Sequence, residues 1–166
     1  GTRDDFSYAV VDPSVTNAVK YASSDKGRWI AIKPGTDSAL AMAMIRWIIE
    51  NEKYATNYLI QPNLDQAKLA GEIHWCNATH LVITEKGHKD YGKFALINNE
   101  WQVCSQDGKI QSYKVNEPAK LYYKGKILID GKKVEVKSSM QLLKESAYKH
   151  SLEEYSKICS VSVEDI

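Results

Sequence analysis

One stretch limits the architecture more than any other. From Ser38 to Glu52, Leu40, Met44, Trp47 and Ile48 share a helical face, and Ala39, Ala41, Met42, Ala43, Ile45 and Ile49 make the rest apolar too. A helix apolar nearly all round has to be covered on several sides, with Met42, Met44 and Trp47 read as core. It follows a short strand, Arg28 to Lys33, that is broken by Pro34-Gly35-Thr36-Asp37. Ahead of that lies another strand, Phe6 to Val11, ending at Asp12-Pro13. Between the strands, Ser14 to Ser23 places Val15, Ala18, Val19 and Ala22 on one helical face, and Ser23 to Gly27 forms a turn cluster. Strands separated by a helical crossover pair in parallel.

The remainder changes character. Tyr54 to Ile60 and Leu64 to His74 read as helices. Short strands follow at Thr79 to Thr84, Lys93 to Ile97, Trp101 to Ser105, Ile110 to Val115, Ala119 to Tyr123 and Ile127 to Ile129, with Lys124-Gly125-Lys126 read as a turn. Asp130-Gly131 before Val134-Glu135-Val136 is a strong hairpin signal. Met140 to Tyr148 reads as a helix, and Ser151 with Glu154 is a capping-box pair that opens another. The expected class is α/β, a partial Rossmann-like three-layer unit with parallel strands plus an excursion of small antiparallel β-hairpins. The expected division is 1–78 for the parallel part, 79–137 for the hairpin insertion and 138–166 for a returning helical segment.

Composition excludes several function classes. Leu, Ile, Val and Phe make up 38 of 166 residues and the net charge is +1; a mostly disordered chain has fewer such residues and more net charge. No apolar run approaches the roughly 18 residues a membrane span needs. The polar start Gly1-Thr2-Arg3-Asp4-Asp5 shows no signal peptide and no Met, which points to a piece of a longer protein. Residues 86–137 carry 11 Lys against 6 acids. Those lysines sit on strand-like segments without aromatic stacking partners at regular spacing, and the chain holds only three Arg, so nucleic acid is not the expected partner. Cys76, Cys104 and Cys159 form no CxxC pair, and His74, His80, His88 and His150 form no HxxxH or HExxH. No metal site within the chain is expected. The sequon Asn77-Ala78-Thr79 is short enough to arise by chance.

There is no glycine-rich nucleotide fingerprint. Ligands in parallel sheets nevertheless bind outside the carboxyl ends of the strands. Two turns belong there, Asp12-Pro13-Ser14 and Gly35-Thr36-Asp37. Gly35 lets a ligand approach the backbone, and the helix start offers free N–H groups. An aspartate there accepts two side-by-side hydrogen bonds, which suits the N1–H and N2–H₂ edge of guanine. The competing reading makes Asp37 a helix-dipole partner and Asp12 a turn former.

Tyr8-Ala9-Val10-Val11-Asp12-Pro13, followed by Trp29 to Met44 with Lys33-Pro34-Gly35-Thr36-Asp37 at its centre, resembles the molybdopterin oxidoreductase family, the dimethyl sulfoxide reductase group. Trp47 to Tyr54, Met140 to Glu145 and Leu152 to Cys159 carry the resemblance further. Asp37 to Ile48, Gln61-Pro62-Asn63 and Asn77 to Ile83 resemble the branch that reduces tetrathionate, with arsenate, thiosulfate and polysulfide reductases as near neighbours. The resemblance implies a parent oxidoreductase with a molybdenum bis(molybdopterin guanine dinucleotide) cofactor and an iron–sulfur cluster held outside this chain. It implies that Asp12, Pro13, Ser14, Gly35, Thr36 and Asp37 line the guanosine end of one dinucleotide, with Asp37 on the guanine edge. Many members carry Arg where this chain has Ser14. The implied partners are the parent protein's other domains, a membrane subunit, and an iron–sulfur subunit for electron transfer. The parent is expected to be exported by the twin-arginine route. The piece alone is expected to hold no cofactor and to catalyse nothing. An independent interaction domain, docking a partner through the Lys-rich hairpins, is the rival reading.

Overall fold

The computed structural model describes residues 7–22 and 27–166. In chain order the elements are β1 (Tyr8–Val11), α1 (Asn17–Ala22), β2 (Gly27–Ile30), α2 (Asp37–Glu50), α3 (Thr56–Leu59), α4 (Leu64–Leu69), β3 (Leu81–Ile83), β4 (Leu96–Ile97), β5 (Glu100–Cys104), β6 (Ile110–Ser112), β7 (Lys124–Ile129), β8 (Lys132–Ser138), α5 (Ser139–Ala147), α6 (Leu152–Cys159) and a short 3₁₀ turn, Val163–Asp165. Phe6 and the turn cluster at 23–26 lie outside the described residues. No helix among the described residues is long and apolar enough to cross a membrane.

The chain forms two compact units, residues 1–53 with 146–166, and residues 54–145. The units divide the chain differently from the boundaries at 78 and 137. Residues 54–78 go with the hairpins because long-range bonds tie them there: Ala119 N donates to Ile60 O (2.9 Å), and Asn63 Nδ2 donates to Tyr113 O (2.6 Å) and Val115 O (2.9 Å).

In the first unit β1 and β2 pair in parallel, Tyr8 opposite Gly27 and Val11 opposite Ile30. Asp12 N donates to Ile30 O (3.2 Å), extending the ladder one residue. α1 packs on both strands through a region that includes buried Val19. α2 packs on α6, and Ile32, Leu40, Cys159 and Val161 form the core between the segments. Arg46 fastens this packing. It pairs with Glu50 (2.7 Å), donates to His150 O (2.6 Å) and lies 4.5 Å from the Tyr148 ring centre. α2 is less enclosed than its composition suggests. Leu40, Ala43 and Ile49 are buried, whereas Met44 and Trp47 are 46% and 39% exposed. α6 is packed against α2, and among the described residues part of α2's wide apolar circumference stays exposed.

α6 is built as its sequence indicates. Ser151 Oγ accepts from Glu154 N (3.2 Å), and Glu154 Oε2 accepts from Ser151 N (2.8 Å). The Ser151→Ala variant is expected to lose about 1 kcal/mol of stability in this unit. Chemical denaturation monitored at α6 checks this, with Ser160→Ala outside the box as the comparison.

The second unit holds two three-stranded antiparallel sheets, ordered β3-β8-β7 and β4-β5-β6. Single bridges Val82–Phe94 and His80–Val103 connect them. Leu81, Ile83, Ala95, Ile127, Ile129, Val134 and Val136 make its core. Asn98-Asn99 and Asp130-Gly131 turn the two tight hairpins with both central residues at positive φ, 53° and 61° in one and 49° and 74° in the other. That is the geometry whose twist matches the flanking strands.

Three expectations change here. Ala119 to Tyr123 forms one bridge, Ser105–Ala119, and no strand, because its amides go to separate partners: Ala119 N to Ile60 O, Lys120 N to Cys104 O and Tyr123 N to Ser138 Oγ. Lys124-Gly125-Lys126 is not a turn but the start of β7, opposite Lys137, Val136 and Glu135. Gly125 is used there for space, since a Cβ would sit 2.8 Å from Tyr123 Cζ. The helix predicted over Leu64 to His74 stops at Leu69. Gly71 takes φ 81° and Glu72 N donates back to Ala67 O (2.9 Å), a glycine-capped end.

Candidate functional site at the strand ends

Both candidate turns leave the carboxyl ends of the parallel strands β1 and β2, so the topology puts them at one end of that sheet. Their chemistry differs. Asp12 Oδ1 accepts from Ser14 N (2.8 Å) and from Ser14 Oγ (3.0 Å), and its main-chain carbonyl accepts from Trp29 Nε1 (2.9 Å). Ser14 thus closes the turn on Asp12, and one carboxylate oxygen is engaged locally. Pro13 and Ser14 are exposed.

The second turn is held from a distance. Lys33 N donates to Cys159 O (2.9 Å), which anchors the end of the β2 segment to the tail of α6. Thr36 Oγ1 donates back to Lys33 O (2.6 Å), so its hydroxyl is turned into the turn and does not cap α2. Ala39 N donates to Thr36 O (2.9 Å), while the amides of Asp37 and Ser38 keep their donor capacity at the positive end of the helix dipole. Gly35 is exposed at φ 76°, with no atom within 4 Å of where a Cβ would stand. Asp37 is the first residue of α2 and is exposed. Among the described residues its carboxylate has no hydrogen-bond or ion-pair partner, so both oxygens are available.

The arrangement is a flat acceptor beside a row of backbone donors, reached over a bare glycine. It fits the edge of a base that offers two parallel N–H groups, as guanine does. Asp12 fits less well, having one free oxygen rather than two. The anchoring of the turn by Cys159 is invisible locally, because its partner lies 126 positions away in the numbering, 159 minus 33. The three cysteines are free thiols, with Cys104 and Cys159 buried. Among the described residues no group of three metal-ligating side chains occurs.

No protein-family model matches the chain. Curated relatives do. A tetrathionate reductase subunit of Salmonella typhimurium is 38% identical over 167 aligned positions, covering 96% of this chain and 16% of the relative. A selenate reductase subunit of Mesobacillus selenatarsenatis is 34% identical, covering 95% and 15%. A tetrathionate reductase subunit of Archaeoglobus fulgidus is 35% identical, covering 81% and 12%. The chain spans about one-sixth of the length of these relatives or less, and two of them match 95% or more of it. The chain therefore belongs to the molybdopterin oxidoreductase family, as the counterpart of one segment of these reductase subunits.

Proposed function

We propose that this chain holds the guanosine end of a molybdopterin guanine dinucleotide within a molybdenum-dependent oxidoreductase. The observation that carries the reading is the Asp37 carboxylate. It stands unpartnered at the start of α2, next to uncapped amides and the open backbone of Gly35. In this role both Asp37 oxygens accept from the guanine N1–H and N2–H₂ edge. The α2 amides and Gly35 border the ribose and phosphate side, and Asp12-Pro13-Ser14 forms the neighbouring rim. The molybdenum group supplies the redox chemistry when bound, a two-electron reduction of an oxyanion. Tetrathionate reduction to thiosulfate is the proposed parent activity, following the relatives named for it. The selenate reductase name of another relative makes selenate the competing substrate. The parent is proposed to work outside the cytoplasmic membrane and beside other subunits, one in the membrane and one carrying electrons through iron–sulfur clusters. This segment supplies binding and orientation and no reacting group.

The test places Asp37→Asn and Asp12→Asn in the full-length parent protein and measures GMP released by acid per polypeptide. Asp37→Asn replaces an acceptor by a donor against guanine's own donors, and is expected to weaken binding of this guanosine end at least tenfold, the scale of a lost charge-assisted pair of about 1.5–3 kcal/mol, and so to lower the GMP released. Asp12→Asn is expected to lower it by less. Equal occupancy in Asp37→Asn and the unaltered protein contradicts the assignment.

A further inference from the structure

Of the eleven lysines of residues 86–137, five are ion-paired and six, Lys120, Lys124 and Lys133 among them, have no ion pair among the described residues. Lys93, Lys109, Lys114, Lys126 and Lys137 each pair with a carboxylate, Asp90, Asp107, Glu100, Glu135 and Glu145 respectively. Lys86, Lys89 and Lys132 have no ion pair among the described residues, and all three line one open cavity of about 600 Å³ with Glu85, His88, Ile129 and Asp130. The loop that carries most of them is held in shape. His88 N donates to Glu85 O (3.2 Å), Tyr91 N to His88 O (3.0 Å), Lys93 N to Asp90 O (3.0 Å) and Gly92 N to Ile83 O (2.9 Å). Its acids are used internally. Glu85 Oε2 accepts from Glu135 N (3.0 Å), and Asp90 holds Lys93. His88 Nδ1 accepts from Asp90 N (3.1 Å), so the neutral ring carries its proton on Nε2 as a further donor.

A second cavity of about 300 Å³ adjoins the first, sharing Lys89, Ile129 and Asp130. Beside the Asp90–Lys93 ion pair its wall carries an apolar stretch, Ile83, Phe94 and the half-exposed Leu96. We infer that the continuous groove between the 85–93 loop and the β7–β8 turn docks a partner polypeptide segment with carboxylates around one apolar side chain. The lysines meet the acids, and the Phe94–Leu96 recess takes the anchor. Charge complementarity argues for a peptide. The three unpaired lysines line an open cleft, and the adjoining recess adds the apolar side chains of Phe94 and Leu96. Asp130 lies at the shared border and Asp90 is paired with Lys93, so a segment's acids fall to the Lys86–Lys132 side. This inference concerns the second unit alone and does not depend on the nucleotide reading of the first.

The experiment uses the full chain and a fluorescein-labelled glutamate-rich peptide with one central leucine, read by anisotropy at low salt. Lys89→Glu with Lys132→Glu is expected to weaken binding at least tenfold, and Leu96→Asp several-fold, while Lys109→Glu with Lys114→Glu changes it less than about twofold. Circular dichroism confirms that each variant is folded. Undetectable binding by the unaltered chain overturns the inference. Equal losses in both double variants overturn it too, leaving only diffuse attraction. Displacement of the peptide by millimolar sulfate, or undiminished binding of a peptide lacking the leucine, also overturns it in favour of an anion site.

Discussion

Leu81→Ala is expected to destabilise the second unit by about 2–5 kcal/mol. Leu81 is fully buried in β3 and packs within the cluster of Ile83, Ala95, Ile127, Ile129, Val134 and Val136. β3 bonds to β8 on one side, with Leu81 opposite Ser138, while Ala95 N donates to Leu81 O (2.8 Å) on the other. The backbone is thereby fixed from both sides and cannot collapse into the space left by the lost methyls. The lost transfer energy and the residual cavity therefore add. Leu128→Ala on β7 is the comparison, since Leu128 is 61% exposed; a change within about 0.5 kcal/mol is expected there. Urea denaturation of both variants measures the contrast. Similar small effects in the two would mean that this cluster is not the core of the unit.

The second large effect is a loss of stability on mild acidification, through His80. Its ring is 1% exposed and lies between Trp75, Phe94, Trp101 and Tyr113, with ring centres 5.4–5.6 Å away. Nε2 donates to Pro62 O (3.0 Å), and Nδ1 is buried with no partner. Burial holds its pKa below the ordinary 6.5, and the Pro62 carbonyl opposes this only in part. A proton added in the folded state would sit on Nδ1, where nothing accepts it. The unfolded chain then binds more protons than the folded one below pH 6.5, so stability is fully present above that pH. It is lost as pH falls from 6.5 toward the lowered folded value, at up to about 1.4 kcal/mol per pH unit. Asp90, Glu100, Asp107 and Glu145 are also held below their ordinary values, mainly by hydrogen bonds with Lys93, Ser112 and Lys114, Ser105, and Lys137. Their contributions are present above the ordinary carboxylate range and are lost only as pH falls through it, below the pH 7 to 5.5 interval. His80→Gln is expected to be less stable at pH 7 but flat between pH 7 and 5.5. A slope unchanged by that substitution would assign the acid sensitivity to another group.

What the sequence made legible follows the range of the interactions. The capping box of Ser151 and Glu154, the Asp130-Gly131 hairpin and the parallel pairing of β1 with β2 rest on neighbours or on a repeated local pattern, and they stand as read. Errors cluster where distant groups decide. Ala119 to Tyr123 has strand-like residues, but its amides are claimed by Ile60, Cys104 and Ser138. Gly125 has the look of a turn residue, and it leaves room for the Tyr123 ring. The aromatic shell of His80 is drawn from positions 75, 94, 101 and 113, which no spacing rule connects. Met44 and Trp47 have the composition of core and are partly exposed here. At the candidate site the residues are legible and their inequality is not. Asp12 and Asp37 look alike in sequence. Ser14 engages an oxygen of the first, and the inward turn of Thr36 leaves the second free beside open amides.

The most direct test of the nucleotide role is a two-dimensional NMR titration of the isotope-labelled chain with GMP, with AMP as control. GMP at millimolar concentration is expected to shift the amides of Gly35, Thr36, Asp37 and Ser38 and, less strongly, those of the Asp12 turn, with AMP leaving them in place. Weak affinity is expected, since the contacts of this one segment must offset the cost of association. Equal shifts with both nucleotides, or shifts confined to the lysine-rich hairpins, would contradict a guanine-reading Asp37 and reduce it to a helix-terminal charge.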